Sequence, residues 1–449
     1  MMAATVLDSA IFGDIFSTPA MRRVFSDESR VQRYLDVEAA LARAQARLGL
    51  IPADAAAEIE RNARVALIDF AKLKTRTERV GAPILPVVEQ LAAHCARDFG
   101  GYCHWGATTQ DIVDTATVLQ LREALGLIDD DLAAIATALA ALARRYRDTP
   151  MAGRTMMQQA VPITFGFKAA AVLAAIDRHR TRLGELRPRV LVGQFAGAAG
   201  TLASLGADGL RVQAALMEEL GLGQPEIAWH THRDRFAEAG CFLGLVTGTL
   251  AKLATDVRLM MQTEVGEAFE PFEQGRGASS TMPQKRNPIS CNYILTCASI
   301  VRQNAAAMLE AMVEEHERST GAWQIEWIAL PEIFLLSSGA LFHARELATG
   351  LEIDPDRMRA NLGLTHGLIA AEAVMMELAP HVGRERAHDL VTALCLEAIA
   401  QKRPLADLLA AHPEISRLLE RPALDRITDP ANYLGLAGEM VDRVLNSRR

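Results

Sequence analysis

The sequence predicts an all-α fold built on long, closely packed helices. Three observations lead there. Val118, Leu121, Leu125, Ile128, Leu132, Ile135, Leu139 and Leu142 recur at alternating spacings of three and four, one apolar stripe along about seven helical turns. Leu243, Val246, Leu250, Leu253, Val257 and Met260 repeat the pattern. Runs rich in Val, Ile and Thr with alternating polarity are scarce, so no substantial sheet is expected. Helices of this length cannot hide their stripes inside a small globule; they call for near-parallel bundle packing, shared between subunits where one chain does not suffice.

Three regions follow in order. Residues 1–112 read as shorter helices, punctuated at Ser26-Asp27, at Gly49-Leu50-Ile51-Pro52 and at Gly100-Gly101. Residues 113–350 hold the long helices, including a third pattern from about Pro162 to Leu186. The stretch "GLEIDPDRM" interrupts them with an N-cap signal at Asp354-Pro355, and residues 351–449 read as a smaller helical region.

Composition narrows the function. Half of the 449 residues are hydrophobic and 23% are charged, an ordinary globular balance. A net charge of −8 argues against a nucleic-acid surface, while leaving room for a local basic pocket. No apolar run approaches the ~18 residues of a membrane span, and the acidic, lysine-free start is unlike a secretory signal. The six cysteines are scattered without a C-x-x-C pair, as expected of reduced, cytoplasmic thiols rather than a disulfide framework or zinc site.

Chemistry concentrates in four segments. "HWGATTQDIVDT", from His104, places Thr108 and Thr109 before a long helix, where hydroxyls and free N–H groups suit an anionic ligand. Taken alone, N-capping by Thr108, Thr109 or Asp111 is the simpler account, and His104 reads as structural. "GRTMMQQAVPITFG" combines Arg154, polar amides and Pro162 at a helix entry. "WHTHRDR" carries His230 and His232 without the spacing of a metal set, so polar groups aligned at a helix start are the better reading and no metal is expected. "GASSTMPQKRNP" is a small, polar, cationic loop framed by Pro283 and Pro288, in which Lys285 and Asn287 suit a carboxylate and Lys285 suits the charge of an enolate.

These segments resemble the fumarase/aspartase superfamily. "GASSTMPQKRNP" is similar to its S-S-x-M-P-x-K-x-N-P signature, "HWGATTQDIVDT" to its first conserved segment and "GRTMMQQAVPITFG" to its second, in the same order along essentially the whole chain. The resemblance implies an all-α fold of three helical domains with a long central bundle, a homotetramer whose active sites are shared between subunits, and no cofactor. It also implies removal or delivery of a proton beside a carboxylate, with Ser279 as the acting base and Ser280 supporting it. Lys285 and Asn287 would hold the substrate carboxylate, with Thr108 and Thr109 binding carboxylate from the first segment.

Two departures bear on the substrate. Many members carry a histidine after G-R-T, paired with a glutamate seven residues beyond the signature lysine; here those positions are Met156 and Asn292. A second position, histidine in adenylosuccinate lyases, is Gln159. An amine or hydroxide leaving group benefits from a general acid, whereas a carboxylate leaves as a stable anion. "EHERSTGAWQIEWIALPE", "WHTHRDR" and the segment from Pro19 to Pro52 are similar to the bacterial cycloisomerases acting on 3-carboxy-cis,cis-muconate, with His232 where that group is expected to carry Gln.

The expected function is therefore closure of 3-carboxy-cis,cis-muconate to 4-carboxymuconolactone in protocatechuate breakdown. His104 and Gln159 would contact substrate, His232 would either contact it as a polar substitute or serve as a relocated acid, and Arg233, Arg235 and Arg318 are candidates for its third carboxylate. The alternatives are a C–N lyase acting on a substituted succinate, a sulfomuconate cycloisomerase, and a non-catalytic homologue of the lens-crystallin kind.

Overall fold

The computed structural model describes residues 5–271, 273–279 and 281–448. It is helical throughout, with two small two-stranded sheets. The long helices are Thr109–Arg145, Phe165–Val190, Asp234–Met260, Ile289–Glu310 and Ala322–Gly350. Both stripes are buried: Val118, Leu121, Leu125, Ile128, Leu132 and Ile135 are fully enclosed, as are Leu243, Val246, Leu250 and Val257. Contrary to the expectation from the sequence, the helices Asp234–Met260 and Ala322–Gly350 are long and apolar enough to cross a membrane, yet 61% of the apolar stretch of each is buried inside the protein.

The chain gathers into two compact units. One comprises the N-terminal residues to Leu132 with His179–Ala251 and Tyr293–His343; the other comprises Ala133–Arg178, Lys252–Asn292 and Ala344 onward. In the first, the helix Asp27–Arg47 lays Val31, Tyr34, Leu35 and Val37 against Ile59, Val87, Leu91, Ile112 and Trp323. Its other face, with Ala40, Leu41 and Ala44, meets Phe195, Val212 and Leu216. In the second, Val374, Leu378, Leu394, Leu405, Leu409 and Ile415 form a compact C-terminal core.

Local signals act where they stand. The Ser26 hydroxyl accepts from the Ser29 N–H and starts Asp27–Arg47. Asp354 accepts from the Arg357 N–H, and Pro355 opens the next helix. Gly339, inside Ala322–Gly350, admits a close backbone crossing: a Cβ there would lie 2.4 Å from the Phe16 carbonyl oxygen. Gly339→Ala is accordingly expected to destabilise the protein by about 1–3 kcal/mol through forced displacement of that crossing; a urea midpoint equal to wild type would contradict the packing.

One expected element is different. Pro162 does not open a helix. Pro150–Thr155 and Gln158–Thr164 form an antiparallel hairpin, and the helix begins at Phe165. The turn is Met156-Met157, both at positive φ (49° and 66°), as a two-residue primed turn requires. Pro162 lies opposite Ala152 beside a bulge, where loss of its N–H is tolerated. Gly153 lets the strands approach, since a Cβ would lie 2.7 Å from the Val161 carbonyl oxygen.

Candidate active site

The first unit assembles a polar centre around Asp111, two residues into the helix Thr109–Arg145. Asp111 is fully buried, and its carboxylate accepts from the N–H groups of Thr108 (3.0 Å), Ala196 (2.9 Å) and Gly197 (2.9 Å). His230 Nε2 approaches the same carboxylate at 2.8 Å. This one side chain joins the first segment to the glycine-rich turn and to "WHTHRDR". This turn, around Gly193–Gly200, needs its glycines: Gly197 has φ +76°, and a Cβ at Gly193 would lie 2.2 Å from Met217 Sδ. Asp111, rather than either threonine hydroxyl, caps the helix. The Thr108 and Thr109 hydroxyls have no protein hydrogen bond among the described residues, and both residues are half-buried.

Arg318 closes this centre. Its guanidinium donates to Gln110 Oε1 (2.7 Å) and to the Ala198 carbonyl (2.6 Å), while Gln110 Nε2 donates to the His230 carbonyl (2.7 Å). Burial pulls Arg318 below the usual guanidinium range. His104 sits nearby in sequence with Nδ1 2.6 Å from Glu38 Oε1. His232 is exposed.

Arg233 is a correction. It is 1% exposed, and its fork is bound on both sides. Nη1 and Nη2 donate to Asp114 at 2.7 and 3.0 Å, and Nε and Nη2 donate to Glu326 at 2.9 and 2.5 Å. Trp229 and Phe236 stack on it at 5.0 and 4.9 Å. With its donors committed inside the core, it cannot receive a substrate carboxylate. Arg235, half-exposed, donates to the Arg189 carbonyl instead. Of the three arginines, Arg233 and Arg318 are both bonded to the first segment, Arg233 to buried Asp114 and Arg318 to Gln110. Glu314 lies 3.9 Å from Arg233 Nε with both carboxyl oxygens buried and unbonded, and burial pushes its carboxyl up to about 7.

The second unit carries the signature loop. Gly277 (φ +64°) and Asn287 pin its base: the Asn287 backbone N–H and Nδ2 both donate to the Gly277 carbonyl, at 3.2 and 2.8 Å. Ala278 bridges Arg286 in antiparallel fashion. Glu270 anchors the following helix, accepting from the N–H groups of Ser290 (3.1 Å) and Cys291 (2.7 Å). Above this base, Ser279 Oγ accepts from the N–H groups of Thr281 (3.3 Å) and Met282 (3.1 Å). Lys285 is exposed, and among the described residues no acid pairs with it. Ser280 lies outside the described residues.

The hairpin belongs to this unit too. Arg154 is locked onto buried Glu267 by two bonds of 2.8 and 2.7 Å, and Asn361 Nδ2 joins at 2.8 Å. Gln159 Nε2 donates to the Asn361 carbonyl (2.9 Å), while its Oε1 is buried without a partner. At the tip, Met156 and Met157 are 91% and 75% exposed. No proton donor stands there.

Sequence reasoning missed Glu38, Asp114, Glu314 and Glu326. Glu38 and Glu326 are acids among apolar neighbours, the one signal that would have flagged them as buried; Asp114 and Glu314 lie in polar stretches and carry no such mark.

An all-α fold carrying this signature loop and first segment defines an enzyme of the lyase class. The family model described as Lyase matches residues 15–302, and the model for the adenylosuccinate lyase C-terminus matches residues 367–444. The chain belongs to the fumarase/aspartase superfamily. It is 54% identical to trans-aconitate decarboxylase 1 of Mycosarcoma maydis, over 98% of this chain and 89% of that one. It is 50% identical to the 3-carboxy-cis,cis-muconate cycloisomerase of Pseudomonas aeruginosa, over 97% of this chain and 95% of that one. The crystal structure of the 3-carboxy-cis,cis-muconate lactonizing enzyme of Pseudomonas putida superposes with a TM-score of 0.93 at 46% identity, covering 98% of both chains.

Proposed function

We propose that the protein acts on an unsaturated tricarboxylate and delivers a proton from Ser279 to the carbon beside one carboxylate. In the leading reading it closes 3-carboxy-cis,cis-muconate to 4-carboxymuconolactone. A substrate carboxylate oxygen forms a bond to one end of a double bond, the other end takes the proton, and no group departs. The observation that carries this is the hairpin tip, where Met156 occupies the position at which many superfamily members carry a general acid. Lys285, exposed on the loop, supplies the positive charge for the enolate-like state, and Asn287 keeps one amide hydrogen for the carboxylate. Thr108, Thr109 and Arg318 present hydroxyl and guanidinium donors to a second carboxylate. The reading carries with it a cytoplasmic homotetramer with shared sites.

The 54%-identical decarboxylase supports a second reading with the same logic. In a trans-aconitate-like tricarboxylate the C–CO2 bond breaks, its electron pair forms a new double bond, and the old double bond takes the proton at the carbon beside a carboxylate. Carbon dioxide, like a carboxylate, leaves without protonation, so Met156 is equally compatible with it.

Two substrates separate the readings. Mixing the purified protein with 3-carboxy-cis,cis-muconate is expected to bleach the conjugated diene, with one proton taken up per turnover because a trianion becomes a dianion. Release of CO2 from trans-aconitate without diene bleaching would replace lactonisation by decarboxylation. Turnover of adenylosuccinate or another succinate adduct alone would overturn both.

A further inference from the structure

Glu38 and His104 form a pair that the reaction as described does not use. Glu38 lies mid-helix in Asp27–Arg47 and is 2% exposed. Both of its oxygens face one residue: Oε2 accepts from the His104 backbone N–H at 3.0 Å, and Oε1 meets His104 Nδ1 at 2.6 Å. His104 takes φ +57°, a left-handed conformation uncommon among residues other than glycine, though histidine adopts it more readily than most. Held strain of this kind clusters at functional sites. With Nδ1 occupied, Nε2 is the remaining polar atom; it has no protein partner among the described residues, and the side chain keeps 23% exposure. His104 lies four residues before Thr108, whose hydroxyl, like that of Thr109, has no protein hydrogen bond among the described residues.

We propose that Glu38 is a positioning residue that fixes the His104 ring, and that His104 so held is the cationic contact for one carboxylate of the substrate. The proposal rests on the tricarboxylate reading above and names a third donor for that substrate. The need is real, because Arg233 is committed to Asp114 and Glu326. The acids facing His104 are Glu38 on Asp27–Arg47 and Asp111 on Thr109–Arg145. Burial alone would lower the imidazole, but the Glu38 charge and hydrogen bond, with Asp111 behind, outweigh it and raise it above its ordinary value. Below that raised value both ring nitrogens carry hydrogens, and Nε2–H donates to a carboxylate. Above it Nδ1 keeps its hydrogen for Glu38, and Nε2 presents a lone pair that repels the ligand.

The test is binding of tricarballylate, a saturated tricarboxylate without a double bond to react, by calorimetry from pH 5.5 to 9. Wild-type affinity is expected to break near the His104 value and to fall by about tenfold per pH unit beyond it. Glu38→Gln removes the charge and sets an amide donor against a ring or backbone N–H, so the break should move to lower pH, and Glu38→Asp should restore part of the shift. His104→Gln should remove the break altogether, which keeps the idea testable should Glu38→Gln fold poorly. A Glu38→Gln profile superimposed on wild type, or a break surviving in His104→Gln, overturns the proposal while leaving the tricarboxylate reading intact. Failure of wild type to bind tricarballylate at any pH overturns that reading and this proposal together.

Discussion

Ser279→Ala is expected to lower kcat by about 10²–10⁴-fold, the range by which a positioned proton donor contributes, while tricarballylate affinity stays at the wild-type value. A free serine hydroxyl is a poor acid and a poor base near neutrality, so the loop must stabilise its alkoxide. The geometry supplies a means. Ser279 Oγ accepts two backbone N–H bonds, from Thr281 and Met282, and these donors strengthen as charge grows on the oxygen. Neither bond depends on a titrating partner, so the activation persists across the pH range in which the loop is folded. The base of the loop, closed between Gly277 and Asn287, keeps this turn in shape without using Ser279. Removing the hydroxyl therefore removes the proton and little else. Turnover at the wild-type rate in Ser279→Ala would sink the assignment. Absence of turnover in wild type with every tricarboxylate and succinate adduct tried would point to a non-catalytic homologue.

The bundle was legible because its signal is local and repeated. Val118 to Leu139 and Leu243 to Met260 declare their buried faces by spacing alone, and Ser26 and Asp354 announce helix starts through side chains that bond three residues ahead. The hairpin at Pro150–Thr164 was not legible. Its turn is Met-Met, where Asn-Gly would have marked positive φ, and its strands are too short to show alternation. The site was legible in residue type more than in partner. Thr108, Gln110 and Arg318 meet at one polar centre, but the hub that gathers the first segment is Asp111, named beforehand as one possible cap. Arg233 was read as a ligand arginine because its guanidinium fork matches a carboxylate. Its partners, Asp114, Glu314 and Glu326, are scattered along the chain, and only folding brings them together.

That convergence gives the second large effect. Arg233→Leu is expected to destabilise the protein by about 3–5 kcal/mol, as when one partner of a buried ion pair is removed. Burial alone would favour a neutral guanidine, but Asp114 and Glu326 outweigh it and hold Arg233 charged. Its removal strands two buried carboxylates. Much of the loss should return in Arg233→Leu combined with Asp114→Leu and Glu326→Leu, because the penalty belongs to the unpaired charges rather than to the missing contact. A single variant as stable as wild type in urea would refute this. The same cluster fixes a sign with pH. Three carboxyl groups meet one guanidinium, and Glu314, without hydrogen bonds, holds its proton up to about 7. Between the ordinary carboxylate range and that value the unfolded chain releases the proton and the folded chain retains it. This contribution to stability is therefore full at low pH, declines as pH rises through that window, and is flat above it. Glu314→Gln mimics the protonated form and removes the decline, so the variant should gain on wild type between pH 5 and pH 8. If the difference between the two does not change with pH, Glu314 is ionised in the folded protein and the charge balance around Arg233 is not as the geometry implies.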